Sequence, residues 1–431
     1  MRYAPISAEL YIKNRKKLRK MLPEKALCLL FSNDLMPTNA DGTYPFRQNN
    51  DLFYLCGVDQ EDTILALFPD HSEAAMREVL FIRETNETLK IWEGEKLSEF
   101  EARDLSGIKT IFYTGRFDTV LAKLMQEAAV VLLNRNEHDR AERRVAQAED
   151  HWAEKIQERY PLHHYGRLAP ILSEMRIVKE KEEIQQIQKA IDISTRAFLA
   201  TAPQIRPGML EYEAEALLRY NFLRQGSRGP AFGTIMASGS NACILHYTQN
   251  EHAMIAGDLV LMDFGAEYGN YNADITRTLP VTGKFTKRQK EVYQSVLNIL
   301  EGATQHLIPS NTWETYQKEV IGLVETELIK LKLLTKAEIK DQDPNKPAFR
   351  RFFMHGISHF LGLDVHDVGA RGGAFKAGMV LTVEPGIYIP QEGIGIRLEN
   401  DILISSKAPV CLSKEIPIEV KDIEALMKKS N

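Results

Sequence analysis

Cysteine and tryptophan are scarce in this sequence, with four and three residues in 431. The cysteines, Cys28, Cys56, Cys243 and Cys411, form no Cys-x-x-Cys pair. Neither a thiolate metal site nor a disulfide framework is therefore expected, and small buried thiols in a reducing compartment fit them. No run of about 18 apolar residues occurs, so no membrane span is expected. The opening MRYAPISAELYIKNRKKLRK lacks the apolar stretch of a secretory leader. A cytoplasmic protein is the expectation. An excess of one charge is also missing: the net charge is −5, with acids and bases intermixed. That argues against nucleic acid as a partner. No low-complexity segment is present.

What is there is enough chain for two domains, 44% of it apolar. Short apolar runs at 26–31, 52–55, 63–68, 79–82 and 130–133 predict strands, bounded by turn or charged residues. Helical patterns at 8–22, 98–105 and 117–128 accompany them, which predicts an α/β domain. Residues 39–54 mix polar, aromatic and charged side chains and read as a surface loop entering a strand. The charged stretch 136–159 reads as a solvated helix. A domain boundary falls near Leu172, before an amphipathic helix whose apolar face is Ile184, Ile187, Ile191 and Phe198. Further helices are predicted over 211–224, after Thr286 with Gln289 as a capping box, and over 312–333.

The second domain contains a repeat. Gly257-Asp-Leu-Val-Leu-Met-Asp263-Phe-Gly265 matches Gly378-Met-Val-Leu-Thr-Val-Glu384-Pro-Gly386 in the placing of glycines and acid. Each strand-like run is followed by a Gly- and Tyr-containing connection and a second strand with a second acid, Asp274 or Glu399. A duplicated β-hairpin about a pseudo-twofold axis, covered by helices, is the simplest reading. Four carboxylates on apolar strands would repel one another and lose hydration unless cations lay between them. Two divalent ions would balance four charges. His359 supplies a nitrogen ligand, and oxygen donors with one imidazole suit Mn²⁺, Co²⁺ or Fe²⁺, with Zn²⁺ also open. Two such ions can hold a bridging hydroxide and polarise a carbonyl. His246, His355 and His366 are candidates for stabilising an oxyanion or moving protons. The remaining histidines have no such setting.

These motifs resemble those of the pita-bread metallopeptidases. Met354-His-Gly-Ile-Ser-His-Phe-Leu-Gly-Leu-Asp-Val-His-Asp, Thr382-Val-Glu-Pro-Gly-Ile-Tyr and Ile396-Arg-Leu-Glu-Asn look like the aminopeptidase P branch. Tyr44-Pro-Phe-Arg-Gln-Asn-Asn-Asp-Leu-Phe-Tyr and Trp92-Glu-Gly resemble that branch's N-terminal domain. The resemblance implies an α/β N-terminal domain over 1–172 and an α+β pita-bread catalytic domain over 173–431. It implies that Asp263 chelates one metal, that His359 and Glu384 bind the other, and that Asp274 and Glu399 bridge the pair. Mn²⁺ is the expected metal. Glu384 would also shuttle the proton, His246 and His355 would contact the scissile carbonyl, and His366 would hold the leaving side. Arg397 would orient carboxylates. The implied activity is removal of an N-terminal residue from peptides with proline second. A prolidase restricted to dipeptides is the alternative, and a non-catalytic binding module is disfavoured by the complete ligand set. A homodimer or homotetramer is implied, with Asp41 and Trp92 at an interface or pocket rim near another subunit's active site.

Overall fold

The computed structural model describes residues 3–138, 140–141 and 144–428. The chain divides into two compact units, Pro5–Arg176 and Ile177–Asn431, the latter joined by Met1–Ala4.

The first unit is built on a six-stranded mixed sheet. Its centre is Ala26–Phe31, antiparallel to Ile64–Leu67 and parallel to Val130–Leu133. Glu78–Ile82 and Thr110–Tyr113 extend one edge, and His164–Arg167 closes the other. One face packs on the helices Phe117–Glu127 and Ala148–Arg159, where Trp152 stacks on Phe31 at 5.0 Å between ring centroids. Of the stretch 136–159 expected as a helix, residues 139, 142 and 143 lie outside the described residues, and the helix occupies only Ala148–Arg159.

The run 52–55 is not a strand. It lies in the helix Asn50–Cys56, where Asn49 caps the amides of Asp51 and Leu52 and Gly57, at φ 68°, ends the helix. All of Leu52–Cys56 is buried, so no polar face interrupts the apolar run and periodicity carries no information. The buried guanidinium of Arg15 explains part of the packing around it: it donates to Leu55 O at 2.7 Å and Ser106 O at 3.0 Å.

In the second unit, the two halves of the sequence repeat fold alike. Leu259–Phe264 pairs antiparallel with Ile275–Pro280, and the connection folds back as a small hairpin, Glu267–Tyr268 with Tyr271–Asn272. Val380–Val383 pairs antiparallel with Asn400–Leu403, around the hairpin Gly386–Ile389 with Ile394–Arg397. The repeated glycines have distinct physical reasons. Gly257 and Gly378 sit at φ 98° and 94°, in the left-handed region that side chains disfavour. At Gly265 and Gly386 there is no room: an added Cβ would lie 1.7 Å from Ala273 O or 2.5 Å from the Tyr388 hydroxyl.

Helix Lys181–Thr201 packs with Glu211–Leu223 in one half, and Lys287–Gln305 packs with Trp313–Lys330 in the other. Thr286 and Gln289 form the expected capping box. The halves are joined by Arg277, fully buried on the first hairpin, whose Nη1 donates to Glu399 O at 2.7 Å and Nη2 to Asn400 Oδ1 at 2.8 Å. Lys179 forms a dry ion pair at 2.8 Å with Asp367, on the loop that follows His359.

Glu149, buried in the first unit, has its carboxyl pushed up to about 8, first by burial and then by the neighbouring Asp51. Its folded value lies above its unfolded one. The stability it contributes is therefore full below the ordinary carboxylate range and is lost as pH rises through 8. A glutamine mimics the protonated acid. Glu149→Gln is expected to raise the thermal midpoint relative to the parent protein by an amount that grows from about pH 5 to about pH 8. Paired melting curves across that range check this.

Candidate metal centre

The two hairpins bring their acids together at the strand ends. Asp263 lies within its strand, opposite Thr276. The other three acids, expected on strands, flank them: Asp274 precedes Ile275–Pro280, Glu384 follows Val380–Val383, and Glu399 precedes Asn400–Leu403.

His359 reaches the same place from the loop before the second hairpin. Its Nε2 lies 3.4 Å from Asp274 Oδ2 and 3.6 Å from Glu384 Oε1. Its Nδ1 faces Phe360 O at 2.9 Å, which places the ring proton there and leaves Nε2 as an acceptor toward the acids. Atoms of Asp274, His359 and Glu399 lie within 4.8 Å of one another and could hold a metal ion.

The electrostatics show what the centre needs. Burial raises the carboxyls of Asp274 and Glu399 well above their ordinary range, and neighbouring acids add to it: first Glu399 for Asp274, and first Glu384 for Glu399. Asp263 is compensated on one side only. Arg397 Nη2 donates to its Oδ2 at 2.6 Å, while its Oδ1 is buried without a hydrogen-bond donor. Such a donor-free carboxylate oxygen, beside two acids whose ionisation burial disfavours, fits a divalent cation better than a purely hydrogen-bonded site.

The remaining residues expected at the site cluster around these. His355 Nδ1 is 3.9 Å from Glu384 Oε2 and 2.7 Å from Gly356 O, and Nε2 meets the Tyr388 hydroxyl at 2.8 Å. Burial, then Arg397 and His246, pull its imidazole down to about 4, so it is neutral in this setting. His366 is exposed and sets its ring edge-on to His359, 4.4 Å between centroids. His246 is also exposed, on the segment after Gly239–Cys243. Arg397 bridges two parts of the site, donating to Asp263 and, at 2.9 Å, to Tyr388. Asp41 and Trp92 lie in the first unit, both exposed.

Four contributors escaped the sequence reading. Thr276 Oγ1 donates to Glu399 Oε2 at 2.7 Å, and Thr382 Oγ1 lies 3.1 Å from the His359 amide, which donates to it. Asp401 Oδ2 accepts from the Asp274 amide at 3.2 Å. Tyr388 links His355 to Arg397. Asp401 was visible as the third acidic or amide side chain in Glu399-Asn-Asp, and Tyr388 stood in a quoted motif. Thr382 stood in the same motif, and Thr276 carries no sequence signal beyond strand propensity.

Comparison with known proteins agrees with this geometry. Residues 185–406 match the model for metallopeptidase family M24, and residues 11–132 match the aminopeptidase P N-terminal domain. The chain belongs to metallopeptidase family M24. It is 37% identical over 439 residues to an Xaa-Pro aminopeptidase of Escherichia coli K12, covering 98% of each chain. It is 36% identical over 420 residues to an Xaa-Pro aminopeptidase of Haemophilus influenzae, covering 95% of this chain and 94% of that one. Among solved structures, Pseudomonas aeruginosa aminopeptidase PepP superposes with a TM-score of 0.90 at 29% identity, covering 100% of this chain and 99% of the other. Escherichia coli aminopeptidase P with the inhibitor Pro-Leu gives 0.87 at 36% identity, covering 99% of each. The pita-bread architecture and the N-terminal α/β domain are those of aminopeptidase P, and family membership makes the chain a hydrolase that works with divalent metal.

The crowding of acids has a measurable consequence. Asp274→Asn removes one of the mutually repelling acids while weakening a candidate metal ligand. It is expected to raise the thermal midpoint of chelator-treated protein and to shrink the further rise on adding Mn²⁺. Melting curves with and without chelator and metal report both changes.

Proposed function

We propose that this protein is a metal-dependent Xaa-Pro aminopeptidase, releasing the first residue of peptides whose second residue is proline. The observation that carries it is the convergence of Asp263, Asp274, His359, Glu384 and Glu399 at the mouth of two hairpins. Full-length similarity to Xaa-Pro aminopeptidases supports the choice of substrate. In this reading Asp263 holds one ion, His359 and Glu384 the other, and Asp274 and Glu399 both. Mn²⁺ is the metal proposed; a zinc-substituted Escherichia coli aminopeptidase P with product has been solved, so zinc belongs in the test. When bound, the ions acidify water and polarise a carbonyl at neutral pH.

The chain's own groups supply the rest. Glu384 is only partly buried, so it can take a proton from attacking water and deliver it to the leaving nitrogen. His355, kept neutral, and His246 contact the scissile carbonyl as charge develops on it. Tyr388 and Arg397 fix the His355 ring and the Asp263 carboxylate. His366, edge-on to His359, holds the leaving side. The bond before proline is a tertiary amide without N–H, which an extended-strand protease binds poorly and an enclosed pocket can accept.

The domain reading, 1–172 for the N-terminal domain and 173–431 for the catalytic domain, is supported by the two family matches. A homodimer or homotetramer is supported by exposed apolar side chains on the N-terminal unit, Tyr44, Ile91, Trp92 and Phe100. There Asp41 and Trp92 would serve a neighbouring subunit's pocket. A cytoplasmic location is supported by four cysteines without a disulfide and by the lack, among the described residues, of a helix long and apolar enough to cross a membrane.

The test is hydrolysis of Xaa-Pro and Xaa-Pro-Xaa by chelator-stripped protein with Mn²⁺, Co²⁺, Zn²⁺ or no metal restored. Metal-restored release of the first residue from the tripeptide is expected. Cleavage of the dipeptide alone would replace this reading by a prolidase, and no cleavage with any metal would remove the enzymatic reading. Glu384→Ala is expected to lower kcat by about 10²–10⁴-fold.

A further inference from the structure

Glu211 opens the helix Glu211–Leu223, and its side chain is fully buried. Burial would strip the carboxylate of water, yet it is enclosed by donors from the segment 238–252. Its Oε1 accepts from the Ser238 amide and hydroxyl, both at 2.7 Å, and from Asn241 Nδ2 at 3.4 Å. Its Oε2 accepts from the Tyr247 hydroxyl at 2.8 Å and the His252 amide at 3.0 Å. The start, middle and end of one segment thus close on a single carboxylate. Charge-assisted bonds of this kind are stronger than neutral ones, and a full set of them offsets desolvation.

The segment has little else to define it. Its regular structure is the short turn Gly239–Cys243. Backbone pairing anchors its far end, where the Glu211 amide donates to His252 O and Leu210 bridges Ala253. Asn250 ties the same end to the strand Ile235–Ser238 by accepting from the Met236 amide at 2.9 Å. Between those anchors stands His246, exposed, next to the Tyr247 that Glu211 holds. The segment carries none of the acids or the imidazole assigned above to metal.

We propose that Glu211 is a positioning residue for His246, clamping the segment 238–252 so that the imidazole is presented in one place. The proposal rests on the reading of His246 as a group that meets the substrate carbonyl, and extends that reading to a buried residue on another element. Glutamine has the same shape but replaces one acceptor oxygen by an NH₂ that cannot accept. Whichever side it turns, donors on that side lose their partner and the segment relaxes. A displacement of about 1 Å in a reacting group can cost on the order of 100-fold in rate.

The experiment compares Glu211→Gln and Tyr247→Phe, each alone and in a His246→Ala background. Tyr247→Phe removes one donor and leaves the buried ring, so it serves if the charge-neutral variant does not fold. Metal uptake is followed by Mn²⁺ titration calorimetry, and kcat and KM are measured on an Xaa-Pro-Xaa peptide. Mn²⁺ binding is expected to stay unchanged. Glu211→Gln is expected to lower kcat on the order of 100-fold, and Tyr247→Phe by less. Neither loss should appear once His246 is already alanine. Equal losses in both backgrounds would show a merely structural role and overturn the proposal, as would full activity of Glu211→Gln. If His246→Ala is itself silent while the enzyme works as described, the role given to His246 fails and the proposal with it, while the metal-dependent activity stands.

Discussion

Everything in the catalytic unit answers to the repulsion among carboxylates held in a dry space. Asp263, Asp274 and Glu399 are buried and Glu384 is partly so, and burial, with the neighbouring acids, makes ionisation of Asp274 and Glu399 unfavourable. One guanidinium, Arg397, stands against one of them. A protein could discard such a cluster and gain stability from apolar replacements. Keeping it makes sense where cations complete it, and the donor-free oxygen of Asp263 marks one place where completion is needed.

The architecture supplies the rigidity that such a cluster demands. Two hairpins with the same glycine spacing end at the same place, and Arg277 locks one to the other through carbonyl and amide oxygens around Glu399. Hydroxyls of Thr276 and Thr382 donate to the Glu399 and Glu384 carboxylates, and the backbone oxygen of Phe360 meets the His359 ring. None of these groups changes charge. Each restricts rotation of a side chain that would otherwise swing away from its neighbours, and a site assembled for metals works only within narrow tolerances of distance.

The histidines proposed to meet the substrate are held differently. His355 is fixed by direct hydrogen bonds, to Gly356 and Tyr388, and is kept neutral by burial. His246 and His366 are exposed and sit on loops, where water competes for every contact. Loops carry reacting groups well only when a rigid scaffold pins them. Lys179 pairs with Asp367, the residue after His366, and the Glu211 carboxylate accepts from Tyr247, the residue after His246.

The acids and the repeated glycines were legible because chemistry forces them: a carboxylate in an apolar strand must have a partner, and left-handed or crowded backbone admits little but glycine. The sequence by itself determined the two hairpins, the five metal-binding candidates and the helices with a clear apolar face, since these leave local periodic or chemical marks. It misread 52–55, where burial on all sides erased the mark that separates helix from strand. It placed Asp274 and Glu399 on strands that in the structure begin one residue later, at Ile275 and Asn400, because strand limits depend on partners distant in the chain. Only the tertiary structure decided that Arg397 faces Asp263, that Tyr388 joins His355 to it, and that Glu211 closes on the His246 segment. Those contacts span residues that no spacing rule connects, and they exist only once strands, helices and loops distant in the chain are folded together.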